Sequence, residues 1–356
     1  MIIKLLSPIS LFWIFHLIFL SGVAAEDSSP ALGDDVHEAG KQLAKTGSWR
    51  NCSPIPHQNQ SGKGHVDSSY VTVSCEYIHY RIPKQSLIQM TQSRAQTSLG
   101  TAEKESIIIG VLSGSGIPER RTSVRSTWGY RRRNIFFIIG GPWEDIQEEY
   151  DEYGDILWID KEEIYITETS VLTLKTETFL SVMHERVIKG IATSGIEHLF
   201  KTDDDSYVEL QKLYATLSST QAGDYWGKCN EGGWKPHRNT EIPWQRKWYI
   251  SYETYAEPEY PPFCQGAGFA LSRKFLDCAV GDGHVAKVKY MPNEDVAVGM
   301  LAERCGVVAT NDDRVWIRWE GEITMENKII QHYVKGDDDM RLHHQSATGV
   351  MGPIII

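Results

Sequence analysis

The 356-residue sequence lacks an excess of positive charge, an evident internal repeat and a second hydrophobic run long enough to span a membrane. Its 36 Lys and Arg residues are outnumbered by 47 Asp and Glu residues, which gives a formal net charge of -11. Sequence-independent affinity for nucleic acid comes from Lys and Arg that neutralise phosphates. The charge balance therefore argues against nucleic acid as a partner, whereas a small anionic ligand needs only a local site.

What is present is typical of a globular chain. Hydrophobic residues make up 41% of the sequence, aromatic residues 10% and charged residues 23%. This composition and length permit one large α/β domain with appendages and argue against wholesale disorder.

The one long hydrophobic run lies at the N terminus. An uncharged stretch from Leu5 to Ala25 follows Lys4 and approaches the roughly 20 residues that span a bilayer as a helix. It ends in small residues typical of a signal-peptidase site. We interpret residues 1–25 as a signal anchor or a cleaved signal peptide, either of which directs the chain to the secretory pathway. There the six cysteines can form disulfides, and Asn51 and Asn59 can accept N-glycans.

Residues 26–105 are polar and rich in Ser, Gln, Gly and His, and we interpret them as a stem. The segment Tyr70 to Tyr80 is an exception, because its alternation of apolar and polar residues predicts a strand. A bridge between Cys52 and Cys75 would staple it locally.

From Ile107 onward, short apolar runs alternate with helical patterns. The runs IIIGVL, IFFIIG, DILWID and IEHLF each predict a buried strand, and the clearest helical face runs from Leu172 to Ile191, with Gly195 as a stop. Strands that alternate with helices predict an α/β fold with a mostly parallel central sheet flanked by helices. The ligand site of such a sheet lies outside the carboxyl ends of its strands.

Three consecutive carboxylates, Asp203, Asp204 and Asp205, directly follow the apolar run that ends at Phe200. Clustered carboxylates repel one another unless a cation neutralises them, and Mn²⁺ or Mg²⁺ bound there can in turn hold a diphosphate. A solvated acidic turn is the alternative. The equal triplet Asp337 to Asp339 follows no predicted strand, and we expect it to be surface.

Three further sets of residues are candidates for the same site. Arg121 and Arg125 lie one helical turn apart and suit phosphate recognition, although a surface helix would look the same. Asp295 lies in the first turn of a predicted helix, with Asn293 as its cap and Gly306 just past its end. An acidic residue there can serve the helix start alone, or the dipole can keep its carboxylate ionised and ready to accept a proton. His332 is a metal ligand or a structural histidine.

Several blocks of the sequence, in order, resemble glycosyltransferase family 31, the β-1,3-galactosyltransferases and β-1,3-N-acetylglucosaminyltransferases. The resemblance covers residues 106–345, with 346–356 as a C-terminal tail. It rests on RRTSVRSTWG, FFIIG, EEYDEYGDILWIDKEEIY with LTLKT, KTDDDSYV, KWYISYETYAEPEYPPFCQGAGFALS and PNEDVAVGML.

The resemblance implies a GT-A fold, an inverting mechanism, Mn²⁺ with Mg²⁺ as the alternative, a UDP-sugar donor, a glycan acceptor and a type II Golgi membrane anchor. It implies Asp205 and His332 as metal ligands and Asp295 as general base. The residues that it places around the nucleotide sugar are Arg121, Arg125, Lys175, Asp203, Asp204, Gln265, Gly266 and Gly268.

The donor sugar stays open between galactose and N-acetylglucosamine. Two other functions compete with transfer: a non-catalytic carbohydrate-binding protein of the same fold, and a metal-dependent phosphoesterase. Loss of Asp205, Asp295 or His332 would mark the first, and none is lost. The Arg, Lys and YPPFC blocks argue against the second.

Overall fold

The computed structural model of the chain describes residues 106–349, except 166–169, 190–194 and 319–322, together with short elements between residues 53 and 104. All of them belong to one compact unit, residues 40–356. The predicted targeting segment, both glycosylation sites, Cys52 and Cys75 lie outside the described residues. Within the described part of the chain, no helix has the length and apolarity to cross a membrane.

Fifteen strands are described. They are β1 (Ser53–Pro54), β2 (Tyr70–Ser74), β3 (His79–Pro83), β4 (Arg94–Gln96), β5 (Ala102–Lys104), β6 (Ile107–Leu112), β7 (Ile135–Ile139), β8 (Ile156–Ile159), β9 (His198–Asp203), β10 (Ser206–Val208), β11 (Tyr225–Cys229), β12 (Cys264–Ser272), β13 (Ala309–Asn311), β14 (Val315–Trp316) and β15 (Ile330–His332).

Eight α-helices and two π-helical turns accompany them in the described residues. The α-helices are α1 (Pro118–Ser126), α2 (Trp143–Tyr153), α3 (Leu172–Met183), α4 (Leu210–Leu217), α5 (Pro243–Arg246), α6 (Arg273–Leu276), α7 (Glu294–Cys305) and α8 (Asp337–Thr348). The π-helical turns, His184–Lys189 and Asp277–Gly281, continue α3 and α6.

A ten-stranded sheet forms the centre of the fold, in the order β1-β2-β3-β8-β7-β6-β9-β12-β11-β13. The four strands β8, β7, β6 and β9 are parallel, and they are the four apolar runs singled out in the sequence. Continuous apolar runs form here because both faces of these strands are covered. Elsewhere in this sheet, β3 pairs antiparallel with β8, and β12 pairs antiparallel with β9 and β11, so antiparallel strands flank a parallel centre. The predicted α/β class with a central sheet flanked by helices is confirmed.

The two faces of the sheet bury separate apolar clusters. On one face, Ile108 and Leu112 of β6 pack in the cluster that includes Phe179 of α3 and Val298 of α7. On the other face, Ile109 of β6 packs in the cluster that contains residues of α1, α2 and α4. Successive side chains of β6 point to opposite faces of the sheet, so each face is covered by its own layer of helices.

Part of the predicted stem belongs to this sheet. Tyr70 to Tyr80 was predicted as one strand, but β2 and β3 form an antiparallel pair, and β3 then pairs with β8. Ile82 of β3 is fully buried. The short alternating pattern does not reveal the reversal, because both arms of a hairpin share the same period.

The second acidic triplet starts a helix. Asp337, Asp338 and Asp339 form the first turn of α8, where acidic side chains are favoured by the helix dipole. The Ser123 hydroxyl of α1 donates to Asp337 over 2.8 Å, which docks α8 on α1. The helix continues past residue 345 and therefore includes the first residues of the predicted C-terminal tail.

Candidate active site

An open cavity of about 420 Å³ lies at the carboxyl ends of β6 and β9, within the size range of small-molecule sites. The loop after β6, the turn after β9, the start of β12, the start of α7 and the residues after β15 all contribute to its walls. This is the edge of the sheet where the sequence predicted the ligand site.

Two carboxylates and an imidazole meet at the base of this cavity. Asp203 is the last residue of β9 and Asp205 follows in the turn, while His332 ends β15, which pairs with β10 at Ser206. His332 Nε2 lies 3.0 Å from Asp205 Oδ1 and 3.6 Å from Asp203 Oδ2. The structure thus brings together His332 and the acidic triplet, which are more than a hundred residues apart in sequence.

These three side chains form a donor set suited to a divalent cation, because their ligand atoms all lie within 4.8 Å of one another. Carboxylate oxygen and imidazole nitrogen together fit Mn²⁺ better than Mg²⁺, which prefers oxygen alone. A second group, Cys278, His284 and Cys305, is equally close. Its two sulfurs are joined in a disulfide, which leaves them unavailable as thiolate ligands.

The charges of the three groups are interdependent. Burial raises the pKa of Asp203, and the Lys201 charge only partly opposes it. Burial would also raise the pKa of Asp205, but the hydrogen bond from His332 and the imidazolium charge outweigh it and lower that pKa. For His332, burial lowers the pKa while Asp205 and Asp203 raise it, and the net shift is upward. In the absence of a cation, a protonated His332 therefore fits between the two carboxylates.

Asp204 also lines the cavity, but it is not one of the three clustered groups. Ser113 Oγ donates to Asp204 Oδ2 over 2.8 Å, and Arg120 Nη1 donates to Oδ1 over 3.1 Å. Burial raises the pKa of Asp204 to about 6, against these two hydrogen bonds. Asp204 therefore ties the triplet to the loop after β6 and to α1.

Lys201 is a site residue that the sequence reading did not single out. Its side chain is 1% exposed, and Nζ donates to Asp203 Oδ1 (2.8 Å), the Gly266 carbonyl (2.6 Å) and Glu294 Oε1 (3.0 Å). Burial alone would lower the pKa of Lys201, but the charges of Asp203 and Glu294 raise it. The available signal was a lysine directly after the apolar pair Leu199 and Phe200 of β9, two residues before the first carboxylate.

Asp295 lies partly buried in the first turn of α7 and lines the same cavity. The helix begins and ends as predicted, with Asn293 at the N-cap and Gly306 at the C-cap. The expectation that the dipole keeps Asp295 ionised is wrong, because burial and the adjacent Glu294 charge raise its pKa to about 8. A base with a pKa near the working pH is well matched to proton transfer.

Arg121 and Arg125 do not line the cavity. Arg121 is buried and binds Glu149 through Nε (2.8 Å) and Nη2 (2.5 Å), while Nη1 donates to Ser113 Oγ over 3.1 Å. Arg125 forms two bonds to Asp155 and one to Glu149, each of 2.7–2.8 Å. One turn of helix does place both on one face, but that face packs on α2, and Arg120 is the residue of α1 that faces the cavity.

Lys175 is also removed from the cavity, fully buried behind the loop after β6. Its Nζ donates to the Ser113 carbonyl (2.8 Å), both oxygens of Glu163 (2.6 Å each) and the Tyr165 hydroxyl (2.8 Å). Burial lowers the pKa of Lys175 despite the Glu163 charge. Lys175 therefore supports the cavity wall from behind. Tyr165, which accepts a hydrogen bond from Lys175, is itself one of the lining residues.

The predicted sugar-site residues Gln265, Gly266 and Gly268 of β12 do not all line the cavity. Gln265 and Gly266 line the cavity, whereas Gly268 is buried, and a Cβ there would meet Ile330 at 2.5 Å and Phe200 at 3.1 Å. At Gly266 a Cβ would collide with Glu294 Oε1 and lie 3.3 Å from Lys201 Nζ. Glycine is needed at both positions for close approach, from opposite faces of the strand.

Tyr333 is the unusual residue at the rim. Its φ of 65° is in the left-handed region, its side chain is 47% exposed, and its ring stacks on His332 with centroids 4.2 Å apart. The next residue, Val334, donates its N–H to the Asp205 carbonyl over 2.8 Å. The backbone is thus turned sharply beside two of the three candidate metal ligands.

Replacement of Lys201 by Met should destabilise the protein by about 3–5 kcal/mol, because Asp203 and Glu294 would lose a buried counter-charge. The matched control is Lys274→Met, which breaks an exposed pair with Asp224 and should cost no more than about 1 kcal/mol. Urea unfolding in the presence of a chelator measures both. Equal losses in the two variants would show that Lys201 does not hold the carboxylates together.

Comparison with known proteins identifies the family. A model of the family described as galactosyltransferase matches residues 119–313. A β-1,3-galactosyltransferase, GALT1 of Arabidopsis thaliana, is 31% identical over an alignment of 210 residues, and the match covers 54% of this chain and 30% of that protein. N-acetyllactosaminide β-1,3-N-acetylglucosaminyltransferase 4 of Homo sapiens is 26% identical, over 58% of this chain and 54% of that protein.

The chain spans less than a third of the length of GALT1 and about half of the human relative. Among solved structures, the galactosyltransferase LgtC covers 69% of this chain and 97% of its own, at 12% identity. Its TM-score of 0.34 is too low to carry an argument. The family match spans more than half of the sequence and confirms the resemblance seen in the motifs: this chain belongs to the galactosyltransferase family.

Proposed function

We propose that this chain is an inverting, metal-dependent hexosyltransferase that moves galactose or N-acetylglucosamine from a UDP-sugar to a hydroxyl of an acceptor glycan, forming a β-1,3 linkage. One observation carries the proposal: the candidate metal ligands Asp203, Asp205 and His332 share a single cavity with Asp295. The named activities of the relatives and the family match support the reaction class.

In this proposal Asp203, Asp205 and His332 hold Mn²⁺, with Mg²⁺ as the alternative. A bound divalent cation would neutralise negative charge on the departing diphosphate. Arg120, Lys247 and Lys335 also line the cavity, and their positive charges would bind and orient the diphosphate of the donor. An acidic protein can thus accept a dianionic ligand, because the local balance of charge at the site differs from that of the whole chain.

Asp295 is the proposed general base. Its carboxylate takes the proton of the acceptor hydroxyl while that oxygen forms a bond to the anomeric carbon of the donor. The bond from the anomeric carbon to the UDP oxygen breaks, and its electron pair leaves with UDP. Attack opposite to the leaving group inverts the anomeric configuration, and general base catalysis supplies about 10²–10⁴-fold in rate.

Glu294 cannot readily exchange roles with Asp295. Its carboxylate is held by Lys201 Nζ at 3.0 Å and is 8% exposed, whereas no Lys or Arg hydrogen bond to Asp295 is seen in the described residues. Glu294 is thus engaged by a fixed counter-ion, and Asp295 is the carboxylate left to meet an acceptor hydroxyl.

Metal dependence is tested by replacing one ligand. Asp205→Ala should abolish transfer and Mn²⁺ binding, because the donor set loses an anionic oxygen. Asp338→Ala is the matched control, since Asp338 is an exposed carboxylate of the second triplet, and it should leave both near normal. UDP release with and without acceptor sugars, with Mn²⁺ or excess chelator, is the assay. Full activity in chelator would refute the metal assignment, and equal release without acceptor would favour a phosphoesterase.

Asp295→Asn should reduce turnover by at least about 10²-fold, because the amide cannot accept the proton, while UDP and Mn²⁺ still bind. In the wild type, kcat/KM for the acceptor should rise with pH, reach half its maximum near pH 8, where half of the Asp295 carboxyl groups are ionised, and level off above that pH. A bound divalent cation would shift this break to lower pH, because it favours the carboxylate.

The control for Asp295→Asn is His332→Ala, which should weaken Mn²⁺-dependent UDP binding itself, as calorimetry measures. If Asp295→Asn keeps near-normal transfer and the same pH profile, Asp295 is only a helix-start residue and is not the base.

We also propose that residues 1–25 anchor the protein in the Golgi membrane with the catalytic domain in the lumen. The support is the uncharged run from Leu5 to Ala25 and the family resemblance. The intact mass of the mature protein should include residues 1–25. A mature chain that begins at Glu26 would instead indicate a cleaved signal peptide and a secreted or lumenal protein.

A further inference from the structure

A buried arginine lies directly behind the wall of the cavity. The Arg121 side chain is 1% exposed, and its Nη1 donates to Ser113 Oγ over 3.1 Å and to the Gly114 carbonyl. Ser113 and Gly114 line the cavity, whereas Arg121 does not. The ion pair with Glu149 uses Nε and Nη2, so it does not account for the bonds of Nη1. One nitrogen of the guanidinium is therefore directed at the cavity wall and not at the counter-ion.

Arg121 determines the direction in which the Ser113 hydroxyl donates its proton. A guanidinium has only donors, so Ser113 Oγ must accept from Arg121. The hydroxyl has one proton to donate, and Asp204 Oδ2 receives it over 2.8 Å. Because Ser113 is only 3% exposed, solvent competes little for that proton. The Ser113 hydroxyl is therefore fixed toward Asp204.

Asp204 passes this constraint to a side chain that can reach a ligand. Its other oxygen, Oδ1, accepts from Arg120 Nη1 over 3.1 Å. The Asp204 side chain is 6% exposed and that of Arg120 is 26% exposed, so Arg120 is the more accessible of the two in the open cavity. A long side chain loses rotamer freedom when it binds an anion, unless it is already held. The contacts of Ser113 and Asp204 thus hold in advance the guanidinium that is assigned above to the diphosphate.

The main chain of this wall has supports other than Arg121. The Ser113 N–H donates to the Ile138 carbonyl over 3.2 Å, and the Ser113 carbonyl accepts from Lys175 Nζ over 2.8 Å. Loss of the arginine would therefore free the Ser113 hydroxyl, while the main chain of Ser113 keeps both of its hydrogen bonds.

The alternative is that Arg121 only docks α1 on α2 through Glu149. Arg125, one helical turn later, makes the same kind of contact, since its Nη1 donates to Glu149 Oε1 over 2.7 Å. In the described part of the chain, Arg125 forms no hydrogen bond to Ser113. Because the two arginines share Glu149, replacing either one leaves this carboxylate with a cation. Arg125 is therefore the matched control for the link to the cavity.

We propose that Arg121 is a positioning residue for the nucleotide-sugar donor: it fixes the Ser113 hydroxyl toward Asp204, and Asp204 in turn holds Arg120 in the orientation that binds the diphosphate. Arg121 itself touches no ligand. The inference rests on the proposed function, because that function makes the diphosphate the ligand of Arg120.

The affinity for UDP in the presence of Mn²⁺, measured by calorimetry, tests this role. Arg121→Met and Ser113→Ala should each weaken UDP binding about tenfold, equivalent to about 1.4 kcal/mol, while Arg125→Met binds UDP as the wild type does. The first two variants should raise KM for the UDP-sugar by the same factor and change kcat less than about twofold, because the ground state and the transition state lose the same contact.

Two further variants separate the link from the ion pair. Ser113→Ala keeps the bond between Arg121 and Glu149, so it tests the link even if Arg121→Met fails to fold. The double variant Arg121→Met/Ser113→Ala should lose no more UDP affinity than either single variant, since both substitutions break one chain of contacts. Additive losses would mean that the two residues act separately and would overturn the proposal.

A second measurement needs no ligand. NMR relaxation of the Arg120 Nε–H in the free protein should show a more mobile group in Arg121→Met and Ser113→Ala, and an unchanged one in Arg125→Met. An equal loss of UDP affinity in Arg121→Met and Arg125→Met, or an unchanged Arg120 signal in Arg121→Met, overturns the positioning role even if the wild type transfers sugar. If the wild type does not bind UDP, the proposed function fails, and the Arg120 signal alone decides whether Arg121 holds this side chain.

Discussion

The site depends on one buried ammonium group. Lys201 Nζ contacts Asp203 of the central sheet, the Gly266 carbonyl of the neighbouring strand and Glu294 of α7, and it is almost wholly removed from solvent. Without it, the carboxylates of Asp203 and Glu294 would repel each other in an interior of low dielectric, where such repulsion is strong. The Lys201 ammonium therefore permits the candidate metal ligands and the acidic start of α7 to line one cavity.

Lys201 also holds the candidate metal ligand Asp203 and the proposed base Asp295 in fixed positions relative to each other. Lys201 and Asp203 lie on the same strand, and Lys201 reaches α7 through Glu294, the residue next to Asp295. The absence of a side chain at Gly266 lets the Glu294 carboxylate approach. Glu294 is therefore held by a charge-assisted hydrogen bond while Asp295 stays free to change its protonation state.

The sequence predicts the framework well because buried parallel strands produce an unmistakable apolar signal. The runs at Ile107, Ile135 and Asp155 became β6, β7 and β8, and the acidic triplet does emerge where β9 ends. The sequence was least informative about residues whose role depends on the direction in which the side chain points. Nothing in the spacing of Arg121 and Arg125 tells which face of α1 packs inward, and Glu149 and Asp155, which neutralise them, come from elements that only the fold brings near. The role of Lys201 was not predictable for the same reason, since two of its three partners, Gly266 and Glu294, lie 65 and 93 residues away.

The backbone at Tyr333 has a consequence for how this rim can vary. A non-glycine residue in the left-handed region carries strain of about 1–3 kcal/mol, which glycine would relieve. Yet the strained residue here carries a large ring that stacks on His332 and faces the cavity. Stability alone favours glycine at this position, so a search for more robust variants of the protein would be drawn to residue 333 and would remove the ring beside the candidate metal site. Stability therefore favours glycine at position 333, whereas the shape of the cavity rim depends on the tyrosine ring.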